Sequence, residues 1–99
     1  MSIIKDLEKE LKNTIKESGY ELETLTLQTS NRPDLGEYQI NDAMTLAKKY
    51  GKNPREIAQD IKNKLDEDTR FTNINIAGPG FINISLNPEV LYKMVNPNI

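Results

Sequence analysis

Phe81 and Asn83 stand two residues apart, directly after the turn sequence Gly78-Pro79-Gly80. An aromatic ring is a stacking platform for an unpaired base, worth about 1–3 kcal/mol by alanine substitution. A primary amide presents a donor and an acceptor to a base edge at once. The turn adds access, because glycines leave room for another backbone to approach closely. Alternation through Phe81–Leu86 predicts that Ile82, Ile84 and Leu86 face the core. Phe81, Asn83 and Ser85 then face away from it. Ring and amide would project side by side and could hold one splayed-out base. Ordinary roles compete with this: a C-terminal helix could cover Phe81, Asn83 could satisfy a nearby backbone group, and Gly78 and Gly80 could simply build a hairpin turn.

A second candidate is Gly36-Glu37-Tyr38-Gln39-Ile40-Asn41. Tyr38 and Ile40 share a parity that predicts burial, Gln39 would point outward, and Asn41 is placed to cap a following helix. Other chemistries are excluded by composition. The chain has no cysteine and no histidine, which removes disulfides, thiolate or imidazole metal sites and histidine-dependent nucleophiles. Carboxylates are abundant, but none sits in an apolar stretch that would raise its pKa for acid–base work. The glycine spacing fits neither a P-loop nor a dinucleotide fingerprint. The net charge is −2, whereas proteins held to nucleic acid by phosphates alone carry a basic excess. Binding of RNA would therefore rest on base contacts or a local patch. Lys5, Lys9, Lys12 and Lys16 form one such row, either a solvated helix face or a phosphate-facing ridge.

The elements that must position these residues follow from periodicity. Ninety-nine residues make one small domain. Ile4, Leu7, Leu11 and Ile15 form a helical stripe, with Ser2 as a cap and a helix to about Ser18 closed by Gly19. Alternating Leu25 and Leu27 predict a strand over Glu23–Gln28. Turn chemistry fills Thr29–Gly36, and a short strand spans about Glu37–Ile40. A helix should run from Asn41 or Asp42 to Tyr50, ended by Gly51. Asn53-Pro54-Arg55-Glu56 then starts a third helix, with Asn53 as cap, proline at the first position and Glu56 able to complete a capping box. Ile57, Ile61 and Leu65 give it one buried face, and Asp66-Glu67-Asp68 marks an exposed exit. Strands at Phe71–Ala77 and Phe81–Leu86 flank the Gly-Pro-Gly turn, and Pro88 begins a short helix to about Val95. The prediction is a two-layer α+β domain over residues 1–95, with a mostly antiparallel four-stranded sheet and helices on one face. Residues 96–99 read as the start of a linker. The opening lacks a signal peptide's apolar stretch and no run is long enough to span a bilayer, so a soluble, cytoplasmic monomer is expected.

Two long segments carry a resemblance. GEYQINDAMTLAKKYGKNPREIAQDI, Gly36 to Ile61, resembles the arginyl-tRNA synthetase pattern of GDYQ, N-A-M, L-A-K and N-P-R-E-I-A. IAGPGFINISL, Ile76 to Leu86, is similar to that family's A-G-P-G-F-[IL]-N run. The resemblance implies the N-terminal additional domain of such an enzyme, which contacts the D-loop at the elbow of tRNA(Arg). By position it implies that Phe81 and Asn83 meet the exposed base; Gly78, Gly80 and Gln39 complete the expected tRNA-binding set. It also implies that ATP, magnesium and arginylation belong to a class I catalytic domain, since HIGH-like and KMSKS-like motifs are absent from this sequence. The competing expectation is a protein-interaction or regulatory module docking through the exposed Phe81 edge.

Overall fold

The computed structural model describes residues 3–25 and 27–89. The order is α1 (Ile3–Glu17), β1 (Gln28–Thr29), β2 (Tyr38–Ile40), α2 (Ala43–Tyr50), α3 (Pro54–Leu65), β3 (Phe71–Ala77) and β4 (Phe81–Leu86). The strands make one antiparallel sheet in the order β1-β2-β4-β3, so β4 is central although it is last in the chain. The expected α+β architecture is the one observed.

Each helix ends where its sequence says it should. After α1, Gly19 takes φ 100° and the Tyr20 amide donates to the Ile15 carbonyl at 3.1 Å. After α2, Gly51 takes φ 63° and the Lys52 amide reaches the Ala47 carbonyl at 3.2 Å. Both are left-handed closures that satisfy orphan carbonyls of the last turn. Asn53 caps α3 by accepting from the Arg55 amide at 2.9 Å. The Glu56 side chain does not complete a capping box in the expected way; it lies 3.9 Å from Lys52.

The apolar stripes of α1 and α3 meet over the sheet. Leu7, Leu11, Ile15, Ile57, Ile61 and Leu65 are buried against Ile40, Ile82 and Ile84. Each such side chain contributes about 1.5–3 kcal/mol through removal from water. Tyr20 ties the helical layer together at one end: its hydroxyl donates to Asp60 Oδ2 at 2.5 Å and accepts from Lys52 Nζ at 2.7 Å. Burial pushes its phenol pKa up, the Asp60 bond adds to that rise, and Lys52 opposes it.

Three expectations change. Of the strand predicted over Glu23–Gln28, only Gln28 among the described residues joins the ladder, which continues to Thr29. Leu25 and Leu27 are nevertheless buried. Their alternation records burial, and the Leu27 amide is satisfied by Glu8 Oε2 at 2.8 Å rather than by a neighbouring strand. Asn41 is not the side-chain cap of α2; Asp42 occupies that position without a side-chain capping bond. The Asp66–Asp68 exit is more than a solvated loop, because Asp68 clamps Arg70, which also reaches Glu10 at 2.8 Å. Arg70 holds the Asp68 carboxyl below its usual range.

The Ser2 cap and residues 96–99 lie outside the described residues. So does most of the predicted C-terminal helix, of which Pro88 and Glu89 are helical.

Candidate functional site

Strand β4 alternates as its sequence requires. Ile82 and Ile84 are fully buried on the helix side, and Leu86 nearly so. Phe81 and Asn83 therefore sit on the opposite face of the sheet. Phe81 is partly exposed there, with its ring against Gly78, where an added Cβ would lie 3.3 Å from Phe81 Cδ2.

Asn83 departs from expectation. It lies on the predicted face, yet it is fully buried. The cover is the segment 30–36, which folds back over the sheet. Ser30 Oγ donates to Asn83 Oδ1 at 2.5 Å, and Gln39 Nε2 donates to the same oxygen at 3.2 Å. Gln39 is likewise not an outward-pointing side chain; it is 4% exposed and also donates to Asn31 Oδ1 at 3.0 Å. Asn75 Nδ2 donates to the Leu35 carbonyl at 3.0 Å.

Gly36 makes this cover possible. A Cβ at that position would fall 2.8–3.0 Å from the Ile84 backbone. Only glycine lets the loop lie this close on the central strand.

Register accounts for the polar row beneath the loop. Gln28 pairs with Gln39, Gln39 with Asn83, and Asn83 with Asn75. Four strands thus place four amide side chains across one line of the sheet. On β3 this needs a correction of phase. Phe71 pairs with Leu86 and is buried, whereas Ile74 and Ile76 pack on the core from the other parity. A bulge between Thr72 and Asn75, with Asn73 at φ 49°, supplies the extra residue that switches faces.

The Gly-Pro-Gly turn is braced from the helical layer. Gly78 takes φ 56° and Gly80 φ 144°. Gly80 is buried, and a Cβ there would come within 3.0 Å of Pro54. Arg55 donates to the Gly78 carbonyl. Gly78 is exposed, so of the two glycines it is the one that offers an approachable backbone. The two sequence segments that carried the resemblance therefore lie against each other, through the β2–β4 ladder, Gly36 on Ile84 and Pro54 on Gly80.

Residues 2–86 match the family model described as the arginyl tRNA synthetase N terminal domain. The chain belongs to that family. It is 49% identical over 70 residues to an arginine–tRNA ligase of Haemophilus ducreyi, covering 71% of this chain. It is 48% identical over 80 residues to an arginine–tRNA ligase of Thermotoga maritima, covering 81%. The chain spans only 12% and 14% of those relatives' lengths. Among solved structures, arginyl-tRNA synthetase from Plasmodium falciparum aligns with a TM-score of 0.75 and 26% identity, over 90% of this chain and 17% of that one. The Thermus thermophilus enzyme aligns with a TM-score of 0.72 and 25% identity, over 94% and 15%.

Within this synthetase N-terminal domain the sequence-predicted residues separate into two groups. Phe81 and Gly78 are accessible at the turn. Asn83, Gln39 and Gly80 are buried, the first two in one hydrogen-bonded cluster and the third against Pro54. Sequence reasoning missed Ser30 and Asn31 as members of that cluster, and Asn75 as the register partner of Asn83 that holds the Leu35 carbonyl. Asn75 had a signal: it alternates with Ile74 and Ile76, so it had to face away from the core. The lysines of α1 at positions 5, 9, 12 and 16 are all exposed, and Lys12 donates to the Glu23 carbonyl. Among the described residues no group of three acidic side chains is placed to hold a metal ion, and no helix is long and apolar enough to cross a membrane.

Proposed function

We propose that this domain binds tRNA(Arg) at its D-loop and elbow, with one unpaired base stacked on Phe81 beside the strand that carries Asn83. The observation that carries this reading is the partly open Phe81 ring on the same sheet face as the Asn83 amide, beside an exposed Gly78 backbone. Gln39 and Ser30 hold the amide, so they act as positioning residues and do not themselves touch RNA. Strand register fixes ring and amide on adjacent same-face positions, so the buried amide cluster backs the strand from which the ring projects.

The domain carries no arginylation chemistry of its own in this reading. A class I catalytic domain in a longer chain would bind ATP and magnesium and perform the transfer. The elbow contact would orient the tRNA for it. One stack and one or two hydrogen bonds give the isolated domain a dissociation constant of roughly millimolar to tens of micromolar. Tethering to the rest of the enzyme makes the contact intramolecular and raises its effective concentration. The net charge of −2 then fits, because a base rather than a run of phosphates provides the recognition.

The test is a titration of labelled domain with an unmodified arginine tRNA transcript, followed by amide shifts. Changes centred on Gly78–Asn83 are expected, and Phe81→Ala should weaken binding by about fivefold to a hundredfold, the range for loss of one stack. Shifts confined to other regions, or an unchanged affinity for Phe81→Ala, would overturn the reading.

A further inference from the structure

Four lysines surround one groove in the helical layer. Lys9, Lys12 and Lys16 line it from α1, Lys49 lines it from α2, and Glu21 and Glu23 belong to the segment between the two helices. Its volume of about 540 Å³ falls within the roughly 300–1,000 Å³ range of small-ligand sites. The α1 lysines form a row in the sequence itself, but only the fold brings Lys49 to them.

These lysines are held differently from the paired cations of the domain. Arg32, Lys52, Lys62 and Arg70 each meet a carboxylate. At the groove, Lys12 Nζ donates to the Glu23 carbonyl, and Lys49 Nζ donates to the Glu21 carbonyl at 2.9 Å. A neutral carbonyl fixes an ammonium group without cancelling its charge, and it leaves two of the three N–H donors free. The Tyr50 ring, 5.6 Å from Lys49 Nζ, brings no countercharge either. Among the described residues no carboxylate lies within ion-pair distance of any of the four lysines. The groove thus keeps a cationic excess over Glu21 and Glu23, in a chain whose net charge is −2.

From Lys9 to Lys16 the helix rises about 10 Å, so the row is longer than a single phosphate group. We infer that this groove binds a run of linked phosphates, as found in an RNA backbone or a free polyphosphate. Lys12 and Lys49 are its fixed contacts, and Lys9 and Lys16 extend the row. Tethering the first two to carbonyls removes part of the ordering cost that a flexible lysine brings to binding. Lysines meet phosphate as point charges, so the groove adds attraction and reads no sequence. Phe81 lies on the other side of the sheet, so this contact is separate from the base site and does not depend on it.

The experiment titrates the labelled 99-residue domain separately with sodium tripolyphosphate and with an unmodified arginine tRNA transcript. Tripolyphosphate should give saturable amide shifts at Lys12, Leu22, Glu23 and Lys49. Lys16→Gln and Lys49→Gln should each weaken it about two- to fivefold, the factor for one exposed charge pair, while Lys16→Arg should retain it. Lys64→Gln removes an equal charge outside the groove and should change nothing. Shifts at the same amides with tRNA, reversed by added tripolyphosphate, identify an RNA backbone as the occupant. In that case Lys16→Gln combined with Lys49→Gln should lower the slope of log affinity against log salt by about 1–2. Groove shifts with tripolyphosphate and none with tRNA identify a free polyphosphate. No groove shift with either probe overturns the inference. An equal loss for Lys64→Gln also overturns it, because the effect would then belong to net charge alone. Phe81→Ala should leave the tripolyphosphate shifts unaltered, so failure of the base reading and failure of this one are told apart.

Discussion

The two faces of β4 are built on opposite principles although they share one backbone. On the helix side, Ile82, Ile84 and Leu86 belong to an apolar layer and are held by exclusion of water. On the other side, Asn83 is buried to the same degree but held by named donors on a loop and a neighbouring strand. The apolar face tolerates small rearrangements, because dispersion and burial have no direction. The polar face does not, because each amide has a defined donor and acceptor and a buried group that loses its partner costs about 1–3 kcal/mol. A face of that second kind fixes orientation, which is what a recognition surface needs.

Breaking the apolar side should give the largest effect. Ile84→Ala removes a fully buried side chain from the central strand and should destabilise the domain by about 2–5 kcal/mol, read from urea unfolding at neutral pH. The cost should fall on stability alone, with amide contacts around Asn83 kept in the folded fraction. Gly36→Ala attacks the polar side. Its new Cβ would meet Ile84 backbone at 2.8 Å, so the loop must lift, at about 1–3 kcal/mol. Faster hydrogen exchange at the Ser30 amide, which donates to the Glu37 carbonyl at 3.0 Å, would report that lifting. Unchanged exchange would show that the loop is not pressed on the strand.

The smallest effect belongs to the charged clamp that precedes β3, and it is the one that pH can tune. Arg70 keeps the Asp68 carboxyl below its ordinary pKa, so the folded chain takes up that proton less readily than the unfolded chain. The stabilisation is full above about pH 4 and fades as acidity carries the group through its folded value. Asp68→Asn should cost about 1–2 kcal/mol at pH 7, and the gap from the native domain should close in acid. Arg70 and Asp68 both lie away from the amide cluster. Neither Ser30, Asn31, Gln39, Asn75 nor Asn83 titrates, so the Asn83 face should keep its geometry across the same range.

Much of the fold was legible because periodicity reports burial directly. The stripes Leu7–Leu11–Ile15 and Ile57–Ile61–Leu65 and the parity of β4 all land where alternation puts them. The failures share a cause. Leu25 and Leu27 alternate and are buried, but no partner strand lies alongside them, so the same pattern produced burial without a ladder. Asn83 sits on the predicted face, but its exposure depended on where a turn-rich loop would fold. Residues 29–36 announce that the chain turns; they do not announce onto what. Gly36 decides it, and a glycine's value as a contact is invisible until the opposing backbone is known. Recognition of the family rested on residue strings, whereas the site's donor and acceptor polarity required the cluster itself.

The contact between Gly80 and Pro54 has a consequence for how RNA would be met. A hairpin turn carrying two glycines is ordinarily among the most mobile parts of a sheet, and a ligand that freezes it loses affinity to that ordering. Here helix α3 stands against the turn from behind, with Arg55 tied to the Gly78 carbonyl. The turn is thus braced before anything arrives, so its glycines can serve close approach with less ordering left for a ligand to impose.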